Sequence, residues 1–125
     1  MFSQSIKIIV EPFCGNGDLI KFIDQTKYSV ECYDIDPKHS YIISQDTLNN
    51  PPLYKQKYII TNPPYLARNK SPNKDIFNKY DTNDLYKCCI KELITNTPIG
   101  GILIIPLNFF CSIRESDVLL RKNFL

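Results

Sequence analysis

The chain has 125 residues and a formal net charge of +2, a length that suits one domain built round one core. So small a charge excludes a global demand for a polyanionic partner, and any attraction to phosphates has to be local. Five cysteines without a C-x-x-C pair, and the single histidine His39, argue against a disulfide framework or a zinc site and fit a reducing, intracellular compartment.

Short β-branched runs alternate with helical patterns along the chain, which predicts β-α-β units and a mainly parallel sheet of about five strands with flanking helices. No charged-then-apolar leader precedes the first run, so no signal peptide is expected. Residues 6–10 form that run, continuous enough for a strand buried on both faces. It closes on Glu11-Pro12 and a Gly15-Asn16-Gly17 turn. A helix is expected over 18–26, with Leu19, Phe22 and Ile23 on one face. Residues 30–33 read as the second strand, ending at Asp34-Ile35-Asp36-Pro37, where Asp36 is a candidate helix N-cap. The second crossover is curtailed, and 41–44 is expected to be a brief third strand.

Residues 58–61 form the fourth strand and run directly into Asn62-Pro63-Pro64-Tyr65. The stretch 66–80 lacks periodicity and reads as a long loop, with Arg68, Lys70, Lys74 and Lys79 against Asp75. It reads either as a solvated loop or as a segment tracking phosphates. A helix follows over 84–97, with Cys88 and Cys89 on it and at least one of them in the core. Gly100-Gly101 is expected to end that helix and 102–105 to form the fifth strand. That apolar run is the longest in the chain and far too short to span a bilayer. A last amphipathic segment starts near Glu115. Phe109 and Phe110 read as core residues first, and second as an apolar wall for a ligand.

Gly15 and Gly17 follow a strand and open the next segment, as a loop wrapped on a ligand requires. A dinucleotide fingerprint needs a third glycine at position 20, which is Ile20, so a pyrophosphate role is disfavoured. Glu11 points the same way, because a carboxylate repels pyrophosphate and pairs with an ammonium group. Asp34 lies where an acid accepts hydrogen bonds from ribose hydroxyls. Asp46 is placed to accept from an adenine amine. Taken singly, Asp34 and Asp46 read equally well as strand-end and turn residues. Three acids at consecutive strand ends describe a sulfonium nucleoside amino acid, S-adenosyl-L-methionine, better than a nucleotide.

The two prolines of Asn62-Pro63-Pro64-Tyr65 fix the backbone and remove two N–H donors. The Asn62 side-chain oxygen and the Pro63 carbonyl can then hold both hydrogens of a planar amine. They favour positive charge on its nitrogen as it attacks a methyl group, a kind of preorganised dipole that contributes about 10² to 10³ in rate. Tyr65 offers a face on which a base can stack. No metal or general base is needed. A plain proline turn, such as Asn50-Pro51-Pro52, is the alternative reading.

These segments resemble the amino-methyltransferases, especially DNA adenine-N6 methyltransferases of restriction-modification type. Residues 11–17 look like their cofactor motif, with Glu11, Pro12, Phe13, Gly15 and Gly17 at its positions. Asp34 with Ile35 looks like their ribose-binding segment, Asp46 like their adenine-amine acceptor, and Asn62 to Tyr65 like their catalytic tetrapeptide. The resemblance covers essentially the whole chain in order. It implies a Rossmann-like S-adenosylmethionine-dependent methyltransferase fold lacking its last strand pair, and adenine in DNA as substrate. DNA-modifying members carry a target-recognition domain that is not found here. The expectation is therefore a truncated or split catalytic domain that associates with a partner subunit or with itself along the fifth strand's edge. Protein glutamine-amide methyltransferases share the tetrapeptide, and RNA guanine-N2 methyltransferases resemble it but often carry Phe at the position of Tyr65. Both remain alternatives, as does a non-catalytic fragment.

Overall fold

The computed structural model describes residues 6–124. Five strands form one all-parallel sheet: β1 (Lys7–Glu11), β2 (Tyr28–Asp34), β3 (Ile43–Ser44), β4 (Tyr58–Thr61) and β5 (Gly100–Leu103), in the order β3-β2-β1-β4-β5. The chain steps outward from β1 to β3, then returns to place β4 on the other side of β1. The sheet therefore reverses between β1 and β4, where an open α/β sheet leaves a crevice at its carboxyl ends. The architecture is α/β with flanking helices, consistent with a Rossmann-like fold.

Four α-helices accompany the sheet: α1 (Asp75–Tyr80), α2 (Leu85–Thr95), α3 (Leu107–Cys111) and α4 (Glu115–Phe124). One core forms where Val10 and Ile59 of the sheet meet Cys88, Cys89 and Leu93 of α2 and Phe77 of α1. Both adjacent cysteines are buried. Phe77 is 1% exposed, and truncating a phenylalanine so buried costs about 3 to 5 kcal/mol. Cys14, Ile20, Cys32 and Ile42 form a second cluster with Val30. Its residues Val30 and Cys32 alternate with Tyr33 of the first core, so the two clusters lie on opposite faces of β2. A third cluster joins Tyr86 and Ile90 of α2 to Phe109 of α3 and Leu120 of α4. Phe109 is thus a core residue, whereas Phe110 is half exposed.

Several expected elements differ. The helix over 18–26 shrinks to one 3-10 turn, Ile20–Phe22, with Phe22 out in solvent. Its continuation is blocked at Asp24, whose carboxylate accepts from the Thr26 amide (3.0 Å) and hydroxyl (2.5 Å). This local turn competes with the helix, and β2 starts at Tyr28, two residues before the expected position. No helix follows Asp36. Its amide instead donates to Asp34 (2.8 Å), and the chain turns towards a β3 of only two residues. The stretch 66–80 is not a plain loop, because it contains a 3-10 turn, Arg68–Lys70, and the helix α1. Gly100-Gly101 does not cap a helix but opens β5, which spans Gly100–Leu103 rather than 102–105. The last helix begins at Glu115 as expected. No helix among the described residues is long and apolar enough to cross a membrane.

Candidate active site

The carboxyl ends of β1, β2 and β4 open on a cavity of about 610 Å³, within the range of small-molecule sites. Its wall brings together Pro12, Phe13, Asp34, Ile35, Asp46 and Asn62, all singled out from the sequence, along with Pro64. Residues up to 52 positions apart thus converge because three parallel strands end side by side.

Asp34 is a fixed acceptor. Its Oδ2 accepts from the Gly15 amide at 2.7 Å and its Oδ1 from the Asp36 amide at 2.8 Å. One acid therefore ties the glycine turn to the end of β2. Each oxygen keeps a further lone pair, as an acceptor for ligand hydroxyls requires. Asp46 is more occupied. Its Oδ1 accepts from the Leu48 and Asn49 amides (3.2 Å each) and its Oδ2 from the Asn49 side chain (2.7 Å), so it also organises its own turn.

Glu11 does not line the cavity. It is 1% exposed, and its Oε1 accepts from the Thr61 hydroxyl and from the Phe13 amide (3.0 Å). The pair joins the end of β1 to the end of β4 directly beneath Asn62. Burial pushes the Glu11 carboxyl up to about 7, the hydrogen bonds from Thr61 and Phe13 oppose this, and the nearby Asp34 charge adds to it.

The glycines shape the turn without lining the cavity. Gly15 (φ +58°) and Gly17 (φ +83°) both hold left-handed backbone, which only glycine adopts at little cost. A Cβ on Gly17 would lie 2.2 Å from the Tyr41 hydroxyl, so this glycine makes room for the protein's own side chain. His39 lies exposed at the surface, stacks on Tyr41 (centroids 5.3 Å apart) and places Nε2 3.1 Å from the Asn16 carbonyl, bracing the same turn.

Pro63 is fully buried, whereas Asn62, Pro64 and Tyr65 are exposed to differing degrees. The Tyr65 hydroxyl lies 2.7 Å from Asn62 Oδ1 and 2.6 Å from the Ile104 carbonyl, and its single proton serves one of them at a time. Beyond Tyr65 the chain is stitched to the start of α2. The Leu66 amide donates to Asp84 (3.0 Å) and the Arg68 amide to the Asn83 carbonyl (2.9 Å). Successive side chains of this extended stretch point to opposite sides. Asn62, Pro64 and Leu66 line the first cavity, while Tyr65 and Ala67 line a second one of about 830 Å³.

Sequence reasoning missed the far wall of the first cavity, to which Ser71, Asn73, Asp75 and Ile76 contribute. A signal was present, since Ile76, Phe77 and Tyr80 recur at helical spacing. Asn73 precedes them and accepts from the Asp75 amide at 2.9 Å. With Asp75 the cavity wall carries three carboxylates and no lysine, arginine or histidine. Among the described residues no cluster of histidines, cysteines or acids could hold a metal ion. The five cysteines are all free, four of them buried.

No family model matches the chain, and no curated protein matches it in sequence.

Proposed function

We propose that this chain is an S-adenosylmethionine-dependent methyltransferase catalytic domain acting on a planar exocyclic amine, the N6 amine of adenine in DNA. The observation that carries this reading is the alternation along 62–67, which makes one extended segment the partition between two cavities. A donor on one side and an acceptor on the other would meet at Asn62.

The first cavity suits the cofactor by charge. Three carboxylates without a cation favour a ligand bearing sulfonium and ammonium groups and repel a pyrophosphate. Asp34 would accept from the ribose hydroxyls, Ile35 and Phe13 would flank the adenine, and Asp46 would accept from its amine. The cofactor, when bound, supplies an electrophilic methyl group.

Asn62 Oδ1 retains a lone pair beside the one facing Tyr65, and with the Pro63 carbonyl it would hold the two amine hydrogens. Both acceptors strengthen as positive charge grows on nitrogen, so they act on the transition state more than on the bound substrate. The amine nitrogen forms a bond to the methyl carbon while the carbon–sulfur bond breaks and sulfur keeps the electron pair. The nitrogen, then cationic, sheds its proton to water. Tyr65 would stack on the base, worth roughly 1 to 3 kcal/mol.

Calorimetric titration with S-adenosylmethionine, followed by transfer of labelled methyl to DNA, RNA and a glutamine-containing peptide, tests the reading. Asn62→Ala should lower turnover by about 10² or more and leave cofactor affinity within a few-fold. Equal losses in both would place Asn62 in cofactor binding and remove the amine-holding role. Transfer to the peptide alone would move the substrate to a glutamine amide, and transfer to RNA alone would move it to guanine.

A further inference from the structure

The two sides of the 62–67 partition carry opposite charge. Against the acidic first cavity, the far side opens on a cleft that contains Arg68, Lys74 and Arg114. We propose that this cleft binds the phosphodiester backbone of the nucleic-acid strand whose target base enters beside Tyr65. The proposal rests on the amine-holding reading of Asn62 to Tyr65 and names the class of molecule that presents the amine.

The cleft consists of two adjoining hollows, about 830 Å³ beside Tyr65 and about 630 Å³ beside Arg68, which share Ala67, Asn83 and Arg114. No carboxylate lines the second hollow. Two line the first, and both are engaged. Asp117 pairs with Lys87 at 2.6 Å, and Asp84 accepts from the Leu66 amide. None of Arg68, Lys74 and Arg114 forms a salt bridge among the described residues. The three cations come from separate parts of the chain: the 3-10 turn, the residue before α1 and the residue before α4.

Two of these cations are held in place by neutral partners. Arg68 donates through Nη2 to Asn78 at 2.8 Å, which leaves Nη1 and Nε to an incoming anion. Lys74 donates to the Ser71 carbonyl at 2.5 Å and to the Arg68 carbonyl, keeping its charge in the cleft. Arg114 is exposed where the two hollows join. An aromatic platform followed by a basic groove recognises single-stranded nucleic acid by stacking and by charge. A glutamine side chain in a peptide would need no such groove, so the charge favours a nucleic acid over an amide substrate.

Fluorescence anisotropy with a labelled 12-nucleotide single-stranded DNA, and the same sequence in RNA, tests the assignment. Neutralising three phosphates of a single strand predicts that affinity falls about 20-fold between 50 and 200 mM salt. For the Arg68→Gln/Arg114→Gln variant the fall should be only about threefold. Arg114→Gln alone, which removes no side-chain bond of the fold, should give an intermediate fall; thermal melting checks that both variants stay folded. Equal affinity and salt dependence in the folded variants and the unsubstituted chain would overturn the proposal. So would binding to anionic phospholipid vesicles with none to either oligonucleotide. Titration with S-adenosylhomocysteine separates the two claims. Cofactor binding without salt-dependent nucleic-acid binding sinks the cleft alone, and the reverse sinks the methyltransferase reading and leaves the cleft standing as a phosphate site.

Discussion

The hydroxyl of Tyr65 lies 2.7 Å from the side-chain oxygen of Asn62, three residues earlier in the chain. The same hydroxyl reaches the Ile104 carbonyl beyond β5, so the orientation of the Asn62 amide is coupled to the neighbouring strand. Tyr65 thus has two separable parts, a ring that offers a face and a hydroxyl that orients an acceptor. Tyr65→Phe keeps the ring and should lower methyl transfer about 2- to 10-fold, the worth of one modest hydrogen bond. Tyr65→Ala also loses stacking and should lower it by a further factor of about 5 to 100. Initial rates of labelled transfer to DNA check both. Equal rates for the two variants would remove the stacking role.

Glu11 carries a pH dependence of definite sign. Its carboxyl is held at about 7 in the folded chain, against an ordinary value of 4.5. Below the ordinary value both states are protonated and the group has no effect on stability. As pH rises towards 7 the unfolded chain ionises freely while the folded one resists, so stability falls, by about 3 kcal/mol once both are ionised. Urea unfolding at pH 5 and pH 8 should show most of this loss, and Glu11→Gln should largely abolish the difference. The amide oxygen of glutamine still accepts from Thr61 and Phe13, so the variant should be the more stable protein at pH 8. A cationic ligand beside Asp34 should also drive a proton off Glu11, which calorimetry in buffers of different ionisation enthalpy reads directly.

What the sequence disclosed follows from the kind of signal each element carries. β1 and β4 are short apolar runs and so are legible without a partner, but only one face is packed into a core. Val10 and Ile59 are buried in it, whereas Ile9 and Ile60 on the other face are half-buried, against the expectation of a strand buried on both faces. The positions of two acids were legible too, since Asp34 ends β2 and Asp46 comes just after β3. Long-range steric facts were not. Gly101 reads locally as a helix stop, yet it lies opposite Ile59, in β4, where a side chain has no room. The role of Glu11 was equally hidden, because Thr61 lies 50 residues away and meets it only after β4 inserts beside β1. Asp75 reads in the sequence only as a charge in a loop, because α1 is short and its charged neighbours obscure the apolar spacing that would place it on a cavity wall.

The two glycines of β5 should differ sharply when substituted. A Cβ on Gly101 would lie 2.0 Å from the Ile59 carbonyl oxygen and 2.5 Å from its Cγ2, and backbone cannot yield as a flexible side chain does. Gly101→Ala should therefore force β4 and β5 apart and destabilise the chain by roughly 1 to 3 kcal/mol or more, the range for overpacking a core. A Cβ on Gly100 would meet only the Tyr58 ring at 4.0 Å, an ordinary contact. Gly100→Ala should be neutral or slightly stabilising, since alanine has less freedom to lose than glycine. Denaturant midpoints for the pair check the contrast, and a comparable loss from both would mean that strand pairing here does not depend on close approach.

The buried pair Lys87–Asp117 joins α2 to α4 at 2.6 Å, with both side chains less than a tenth exposed. Burial alone would raise the Asp117 carboxyl, but hydrogen bonds from Lys87 and Ser112 and the charges of Lys87 and Arg114 outweigh it, holding the group below the usual carboxylate range. Its contribution to stability is therefore present above the ordinary carboxylate pKa and is lost as pH falls through the lowered one. Asp117→Asn removes that acid-dependent part but strands a buried ammonium whose remaining fixed partner is Asn83 at 2.8 Å. The expected loss at neutral pH is about 3 to 5 kcal/mol, because an unpaired buried charge costs more than the pair contributes. The double change Lys87→Met/Asp117→Leu should recover most of this, since apolar side chains of similar volume leave no charge to solvate. Urea unfolding of the three proteins at pH 7 and at pH 3, below the ordinary carboxylate pKa of 3.8, decides the matter. A double variant as unstable as the single one would show that α4 needs the hydrogen bond between Ser112 and Asp117, 2.7 Å long, more than it needs the charge pair.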